Sequence, residues 1–172
     1  CEAMGVKGLS FRARQDLPAF HPGRCAEVSV NGVFLGVLGQ IHPSVADNYG
    51  LDCPVYSAQL DFLALLVNRA PETGYQPLPR FPSVTRDIAV VCDRGVTVAQ
   101  LEDCITRGAQ GLLKQVELFD IYTGAPIPEG KKSVAFNLTL RADDRSLTAE
   151  EADADVKSIL TALEQECGAV LR

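Results

Sequence analysis

The 172-residue sequence contains no apolar run of 18 residues and no Cys-x-x-Cys pair. Without such a run we expect no membrane-spanning helix, because a bilayer core requires about 20 apolar residues. The six cysteines are widely spaced and show no zinc-binding pattern with the two histidines. The first ten residues lack the basic start and apolar stretch of a signal peptide. We therefore expect a cytoplasmic protein with reduced thiols and no metal site.

Positive charge and catalytic motifs are also scarce. The chain has 16 basic and 22 acidic residues, a net charge of −6, which argues against general nucleic-acid binding, so any such contact must be local. The sequence has neither a Gly-x-Ser-x-Gly nucleophile motif nor a phosphate-binding Gly-x-x-x-x-Gly-Lys motif. His21 and His42 each precede a proline and are expected in turns or in the core. The sequence therefore predicts no catalytic residues.

The apolar content of 47% is sufficient to bury a core. Prolines recur between residues 70 and 82 and favour an extended linker, so we predict domains 1–75 and 76–172. In the first half, Asn31-Gly32 predicts a hairpin turn. Strands are predicted at 25–30, 33–41 and 54–60, and short helices at 44–49 and 61–67. Because so few strands form a poor independent core, we expect the end of a larger, mainly antiparallel β domain with exposed apolar surface.

The second half predicts the order β-α-β-β-α-β, the ferredoxin-like arrangement of an α+β domain. Thr97 and Thr148 each begin a capping box, and glycines end the two helices. Strands are predicted at 86–92, 113–122, 132–141 and 169–171. Both helices should cover one face of an antiparallel sheet and leave the other face open. Small or polar residues of the third long strand are expected on that open face, namely Ser133, Ala135, Asn137, Thr139 and Arg141.

Six segments resemble the β subunit of bacterial phenylalanyl-tRNA synthetases, in the same order and at compatible spacing. Four of them resemble its ferredoxin-fold anticodon-binding domain: FPSVTRDIA at 81–89, FDIYTG at 119–124, GKKSVA at 130–135 and RSLT at 145–148. The other two, HPGRCA at 21–26 and LGVLGQIHP at 35–43, resemble its catalytic-like domain. Two positions depart from the family pattern, because Gln40 and Ser146 stand where Glu and Thr are commoner.

This resemblance implies a C-terminal fragment: the end of a class II synthetase-like domain without catalytic residues, followed by the anticodon-binding domain. The family is a cytoplasmic (αβ)₂ ligase that joins phenylalanine to tRNA-Phe with ATP and Mg²⁺, and its chemistry lies on the α subunit. The expected partners are therefore tRNA-Phe and the α subunit, with no DNA or membrane partner. No cofactor is expected on this chain.

The resemblance also implies that Asp120, Tyr122 and Ser133 hold the first anticodon base. A tyrosine ring can stack on a base, and a carboxylate can accept the adjacent N1–H and N2–H₂ donors of guanine. We also expect five residues to contact the RNA backbone, and the basic residues near the third long strand to make the open face locally positive. These five are Arg80, Arg86, Lys131, Lys132 and Arg141.

Several alternatives remain open at this stage. Asp120 could cap a turn, and Tyr122 could be a half-buried aromatic at a strand end. The acidic run from Glu150 to Asp155 favours the helix dipole and is interpreted as structural. Ferredoxin-like domains also bind amino acids as regulatory modules, and the first half could serve only in assembly, since a fold does not by itself determine a function.

Overall fold

The computed structural model describes residues 1–70 and 78–172. They form two compact units, one on each side of the gap. The predicted domain boundary near residue 75 lies outside the described residues.

The first unit is built on a four-stranded antiparallel sheet with the order β1-β2-β3-β4. Positive φ angles at Asn31 and Gly32, 48° and 80°, confirm the predicted hairpin turn between β2 and β3. The elements are a 3-10 helix at Glu2–Met4, strands β1 (Leu9–Ala13), β2 (Phe20–Val30), β3 (Val33–Ile41) and β4 (Tyr56–Leu60), and helices α1 (Pro43–Asn48) and α2 (Phe62–Val67).

Two strand segments of this unit escape prediction. Strand β1 is not predicted from the sequence. The first five residues of β2 are not predicted either, because Pro22 and Gly23 argue against a strand there. The ladder accommodates them through a register shift between Phe20 and Cys25. This shift allows β2 to begin well before the apolar run by which the strand was predicted.

The core of the first unit is small, as the sequence predicts. It is formed by Val6, Val28, Val30, Leu35 and Leu65. Large apolar side chains remain exposed outside it, with exposed fractions of 60% or more at Phe11, Tyr49, Tyr56, Phe62, Leu63 and Val67. The expectation of exposed apolar surface is therefore confirmed.

The second unit has the predicted order of elements. All its strand pairs are antiparallel, and the sheet order β6-β7-β5-β8 is that of a ferredoxin-like fold. The α+β prediction is therefore confirmed. The elements are β5 (Val84–Asp93), α3 (Val98–Gly108), β6 (Leu113–Tyr122), β7 (Lys131–Leu140), α4 (Ala149–Cys167) and β8 (Val170–Leu171).

Both helices of the second unit pack on the same face of its sheet. The strands supply alternate residues, and the fully buried residues include Val90, Phe136 and Leu138 with Leu101, Ile105, Ile159 and Leu163. Cys92 and Cys104 belong to this core, which confirms that they act as small hydrophobic residues. Burial raises the pKa of the Cys92 thiol, and burial followed by the neighbouring Cys167 raises that of Cys104 to about 11. Both thiols therefore stay protonated near neutral pH.

The two long helices begin and end as the sequence predicts, although their final glycines act differently. Thr97 and Thr148 each complete a capping box, with Gln100 and Glu151 as reciprocal partners. Gly168 ends α4 in the left-handed conformation, with a φ of 59°. Gly108 ends α3 at a close helix contact, where an added Cβ would lie 2.8 Å from the Ala162 Cβ.

Asp155 gives the acidic run of α4 a structural role that the sequence left unspecified. Its side chain is 1% exposed, and its Oδ1 accepts a hydrogen bond of 2.6 Å from the Gln110 backbone N–H. Ser158, one turn later, donates to the Gly108 carbonyl oxygen at 2.8 Å. Helix α4 therefore supplies partners for backbone groups at the end of α3 that have no partner within that helix.

We predict that Gly36→Ala destabilises the first unit. Gly36 has a φ of 151°, and an added Cβ would collide with the Gln59 carbonyl oxygen in the β3–β4 ladder. Overpacking of this kind costs about 1–3 kcal/mol, which urea unfolding followed by circular dichroism would measure. The matched control is Gly23→Ala, whose Cβ would approach no closer than 3.4 Å to the His21 ring. Equal stability of the two variants would contradict the assignment of Gly36 to a close backbone approach.

We also predict that Asp155→Ala lowers the free energy of unfolding by about 1–3 kcal/mol, because the Gln110 N–H loses its buried acceptor. Asp153→Ala serves as the control from the same helix. Its carboxylate is 59% exposed and pairs with Arg86 at 3.0 Å, so its loss should cost about 0–1 kcal/mol. Thermal and urea unfolding of both variants would check this order, and a larger loss for Asp153→Ala would contradict it.

Candidate functional site

A bulge in β6 determines which residues face away from the helices. Leu118 pairs with Phe136 of β7, whereas Asp120 pairs with the next position, Ala135, so that Phe119 is an extra residue. Paired residues of an antiparallel ladder project to the same side of the sheet. Leu118 therefore packs against the core. The alternation is inverted from Asp120 onward, so Asp120 and Tyr122 project to the opposite side of the sheet from Leu118.

The bulge brings Asp120 and Tyr122 to the sheet face that the helices leave uncovered, where Ser133 of β7 also lies. Tyr122 pairs directly with Ser133, and Asp120 pairs with Ala135 in the adjacent row. The two rows are separated by one two-residue repeat, about 7 Å along the strand. We refer to this surface of β5, β6 and β7 as the open face. Without the extra residue, Asp120 and Tyr122 would lie on the same side as Leu118.

Tyr122 is held in place by the loop that follows it. Its hydroxyl donates to the Ala125 carbonyl oxygen at 2.8 Å. Its ring lies against Gly124, where an added Cβ would come within 2.5 Å of the Tyr122 hydroxyl oxygen. With its hydroxyl already engaged and 41% of its surface exposed, Tyr122 offers part of its ring rather than a free hydroxyl group.

Ser133 is less accessible than the sequence suggests. It is 3% exposed, between Tyr122 of β6 and Val91 of β5 in the same row. Ala135 in the next row is 9% exposed. These two small residues of the central strand thus form a floor beneath the row of Tyr122 and the row of Asp120. Of the three predicted side chains, only those of Asp120 and Tyr122 are exposed.

Carboxylates dominate the next row of the open face. Glu117 of β6 and Asp87 of β5 flank Asn137 of β7, and Asn137 donates its Nδ2 hydrogen bond to Asp87 at 2.7 Å. With Asp120, this part of the face presents three carboxylates. Because ionised carboxylates only accept hydrogen bonds, the face is suited to groups that donate them.

The predicted locally positive face does not form. Arg86 pairs in register with Leu138, on the helix-bearing side, and its guanidinium contacts Asp153 of α4 at 3.0 Å. Lys132 is likewise in register with the core residue Cys92. These two residues, which were predicted to contact RNA, therefore lie on the helix-bearing side of the sheet and not on the open face.

The other three predicted cations lie elsewhere on the second unit. Lys131 is in register with Asp93 on the open-face side and forms an ion pair with it at 2.9 Å. Arg141 is 3.9 Å from Asp143, which Lys114 contacts at 2.8 Å. Arg80 is exposed in the segment before β5. Lys131 is thus the predicted cation that the strand register places beside the row of Tyr122.

Both histidines make local contacts, each with a residue two positions further along the chain. His21 accepts a hydrogen bond from the Gly23 N–H at 3.0 Å, and His42 caps α1 through Ser44. In residues 1–70 and 78–172, no group of three His, Cys, Asp or Glu side chains could hold a metal ion. The helices described for these residues include none that is long and apolar enough to cross a membrane.

Two family models match the chain, one over each unit. The ferredoxin-fold anticodon binding domain matches residues 79–172, and the phenylalanyl tRNA synthetase beta chain CLM domain matches residues 1–62.

Curated relatives match across both units. The phenylalanine–tRNA ligase beta subunit of Clostridium tetani (strain Massachusetts / E88) is 42% identical over 171 residues, which is 99% of this chain and 22% of the relative. That of Halalkalibacterium halodurans is 47% identical over 168 residues, 96% of this chain and 21% of the relative. That of Bacillus subtilis (strain 168) is 43% identical over 152 residues, 88% and 19%. The chain spans about a fifth of the length of these relatives.

Proposed function

The chain belongs to the family of phenylalanine–tRNA ligase β subunits with a ferredoxin-fold anticodon binding domain, and on that premise we propose that its open face binds the anticodon loop of tRNA-Phe. Asp120 and Tyr122 contact the first anticodon base, and Ser133 supports Tyr122 from below. The observation that carries this proposal is the β6 bulge, which brings Asp120 and Tyr122 to the uncovered side of the sheet beside Ser133.

Asp120 supplies base selectivity in this proposal. Its carboxylate accepts from the N1–H and N2–H₂ of guanine, whereas adenine presents an acceptor at N1 that the carboxylate repels. The Tyr122 ring contributes stacking, which is sequence-tolerant. A base that has left its own stack would lie against the exposed side chains of Asp120 and Tyr122, in the rows that Ala135 and Ser133 share with them.

The chain spans about a fifth of the length of its relatives, and we place the chemistry of the whole ligase outside this chain. We assign ATP, Mg²⁺ and the aminoacylation chemistry to the α subunit of an (αβ)₂ enzyme in the cytoplasm. The exposed apolar residues of the first unit, Phe62 and Leu63 among them, support a role of that unit in assembly. The anticodon-binding unit then holds the tRNA while the α subunit acts at its other end.

The central test is titration of the 172-residue chain with an RNA stem-loop that carries the tRNA-Phe anticodon. Changing the first anticodon base from G to A should weaken binding about 10- to 100-fold, which corresponds to hydrogen bonds to a charged group of about 1.5–3 kcal/mol. Asp120→Ala should weaken binding of the G loop and remove the difference between the two loops.

Glu117→Ala is the matched control for that test. Glu117 lies on the same strand and the same face as Asp120, one row away, so this variant should keep the preference for G. If the wild-type chain binds both loops equally, or if Asp120→Ala retains the preference, the base-reading function is contradicted. Asp120 would then be no more than the polar end of a strand.

The dependence of binding on salt concentration provides a second prediction. Because the open face presents three carboxylates and its Lys131 is paired with Asp93, log K against log salt concentration should have a slope of only about −0.7 to −1.4, as for one or two phosphate contacts on a single strand. Lys131→Ala should reduce the slope by at most about 0.7, because Lys131 lies on the open-face side but is paired with Asp93. Arg86→Ala should leave it unchanged, since Arg86 is paired with Asp153 on the other side of the sheet. A steep slope that Arg86→Ala reduces would contradict this assignment.

A further inference from the structure

Phe119 is an exposed aromatic residue next to the proposed base-reading carboxylate. It is 61% exposed on β6, which is an edge strand of its sheet. Its ring carries no hydrogen-bonding group, so contact with water gives no compensation for leaving it outside the core. The preceding residue, Leu118, packs against that core, as do Leu113 and Val116 earlier in β6.

The bulge determines where Phe119 lies. Phe119 and Asp120 together oppose the single residue Ala135 on β7. Along β6, Asp120 therefore has an aromatic residue immediately before it and Tyr122 two positions after it. Ile121 is also exposed, at 46%, but it pairs with Val134, a core residue on the helix-bearing side. These two exposed apolar residues are thus distinguished by their place in the ladder.

The charge of the open face restricts what can hold RNA there. Asp87, Glu117 and Asp120 are acidic, and the nearest cation in the ladder, Lys131, is paired with Asp93. Attraction for phosphates is consequently weak. Affinity for a single-stranded loop must come mainly from the bases, for which aromatic rings are the usual protein partners.

We propose that Phe119 stacks on the base next to the one that Asp120 reads and positions the loop whatever the identity of that neighbouring base. This inference rests on the proposed function. Asp120 provides the choice of base, whereas Phe119 provides affinity without choice, because every base has a face on which an aromatic ring can stack. The β6 bulge serves both tasks, since it presents Phe119 and Asp120 opposite the same small residue.

The test measures binding of the chain to the same stem-loop RNA, with Phe119→Ala, Phe119→Leu and Ile121→Ala. Phe119→Ala should weaken binding about 5- to 150-fold, the range expected for loss of one base–aromatic stack, and should keep the preference for G as the first anticodon base. Phe119→Leu keeps the exposed apolar group but loses the aromatic face, so it should also weaken binding. Ile121→Ala, the control for an exposed apolar residue, should change binding less than twofold.

A fluorescent base reports the contact directly. With 2-aminopurine on either side of the first anticodon base, one of the two positions should lose fluorescence on saturation with wild-type chain, because stacking quenches it. Saturation with Phe119→Leu should restore that fluorescence. A merely structural role for Phe119 would leave the signal unaltered, and the unfolding temperatures of all the variants should agree.

The outcomes separate this inference from the proposed function. If Phe119→Ala binds as well as wild type while Asp120→Ala abolishes the preference for G, the stacking proposal is wrong and the anticodon function stands. If wild-type chain binds G and A loops equally but Phe119→Ala and the quenching behave as expected, the face binds RNA without reading it. If no loop binds to wild-type chain, both proposals are overturned.

Discussion

The second unit depends on the register of β7. This strand pairs with β5 along its whole length and with β6 over nearly all of it, and its alternate residues Val134, Phe136 and Leu138 are completely buried under the helices. A slip of one residue would replace them with Ser133, Ala135 and Asn137 and would expose the large apolar side chains to water. The register is therefore fixed by burial, and it fixes in turn which residues of β5 and β6 stand opposite each other on the open face.

Features that depend on short-range signals could be predicted from the sequence. The capping boxes at Thr97 and Thr148 involve residues three apart, and the Asn31-Gly32 turn is encoded by two adjacent residues. The alternation of β7 is equally legible, because its buried face is continuous. The β6 bulge is different in kind. The order Leu118-Phe119-Asp120-Ile121-Tyr122 fits an unbroken strand with either face inward, and only the pairing with β7 reveals the change of side.

The site could be predicted in part for the same reason. Asp120, Tyr122 and Ser133 were assigned by resemblance to a family, and the ladder places them close together on one face. The burial of Ser133 depends on strands that are distant in sequence. The prediction of a positive face was wrong because the number of charged residues in a sequence does not show which of them form ion pairs. Arg86 and Asp153, for example, are 67 positions apart. Asp155 likewise looked like one more helix-dipole acid, although its partner is a backbone amide 45 positions away.

The carboxylates of the open face have a consequence for competition among RNAs in a cell. A basic groove concentrates any polyanion near itself, so that messenger and ribosomal RNA would occupy it most of the time. A face with Asp87, Glu117 and Asp120 at its centre repels such chains at a distance. An RNA that brings no suitable base gains nothing there to offset the repulsion. Under the proposed function, such a face would bind few competing RNAs, and capture of the tRNA body would fall to surfaces outside this chain before the anticodon reached the open face.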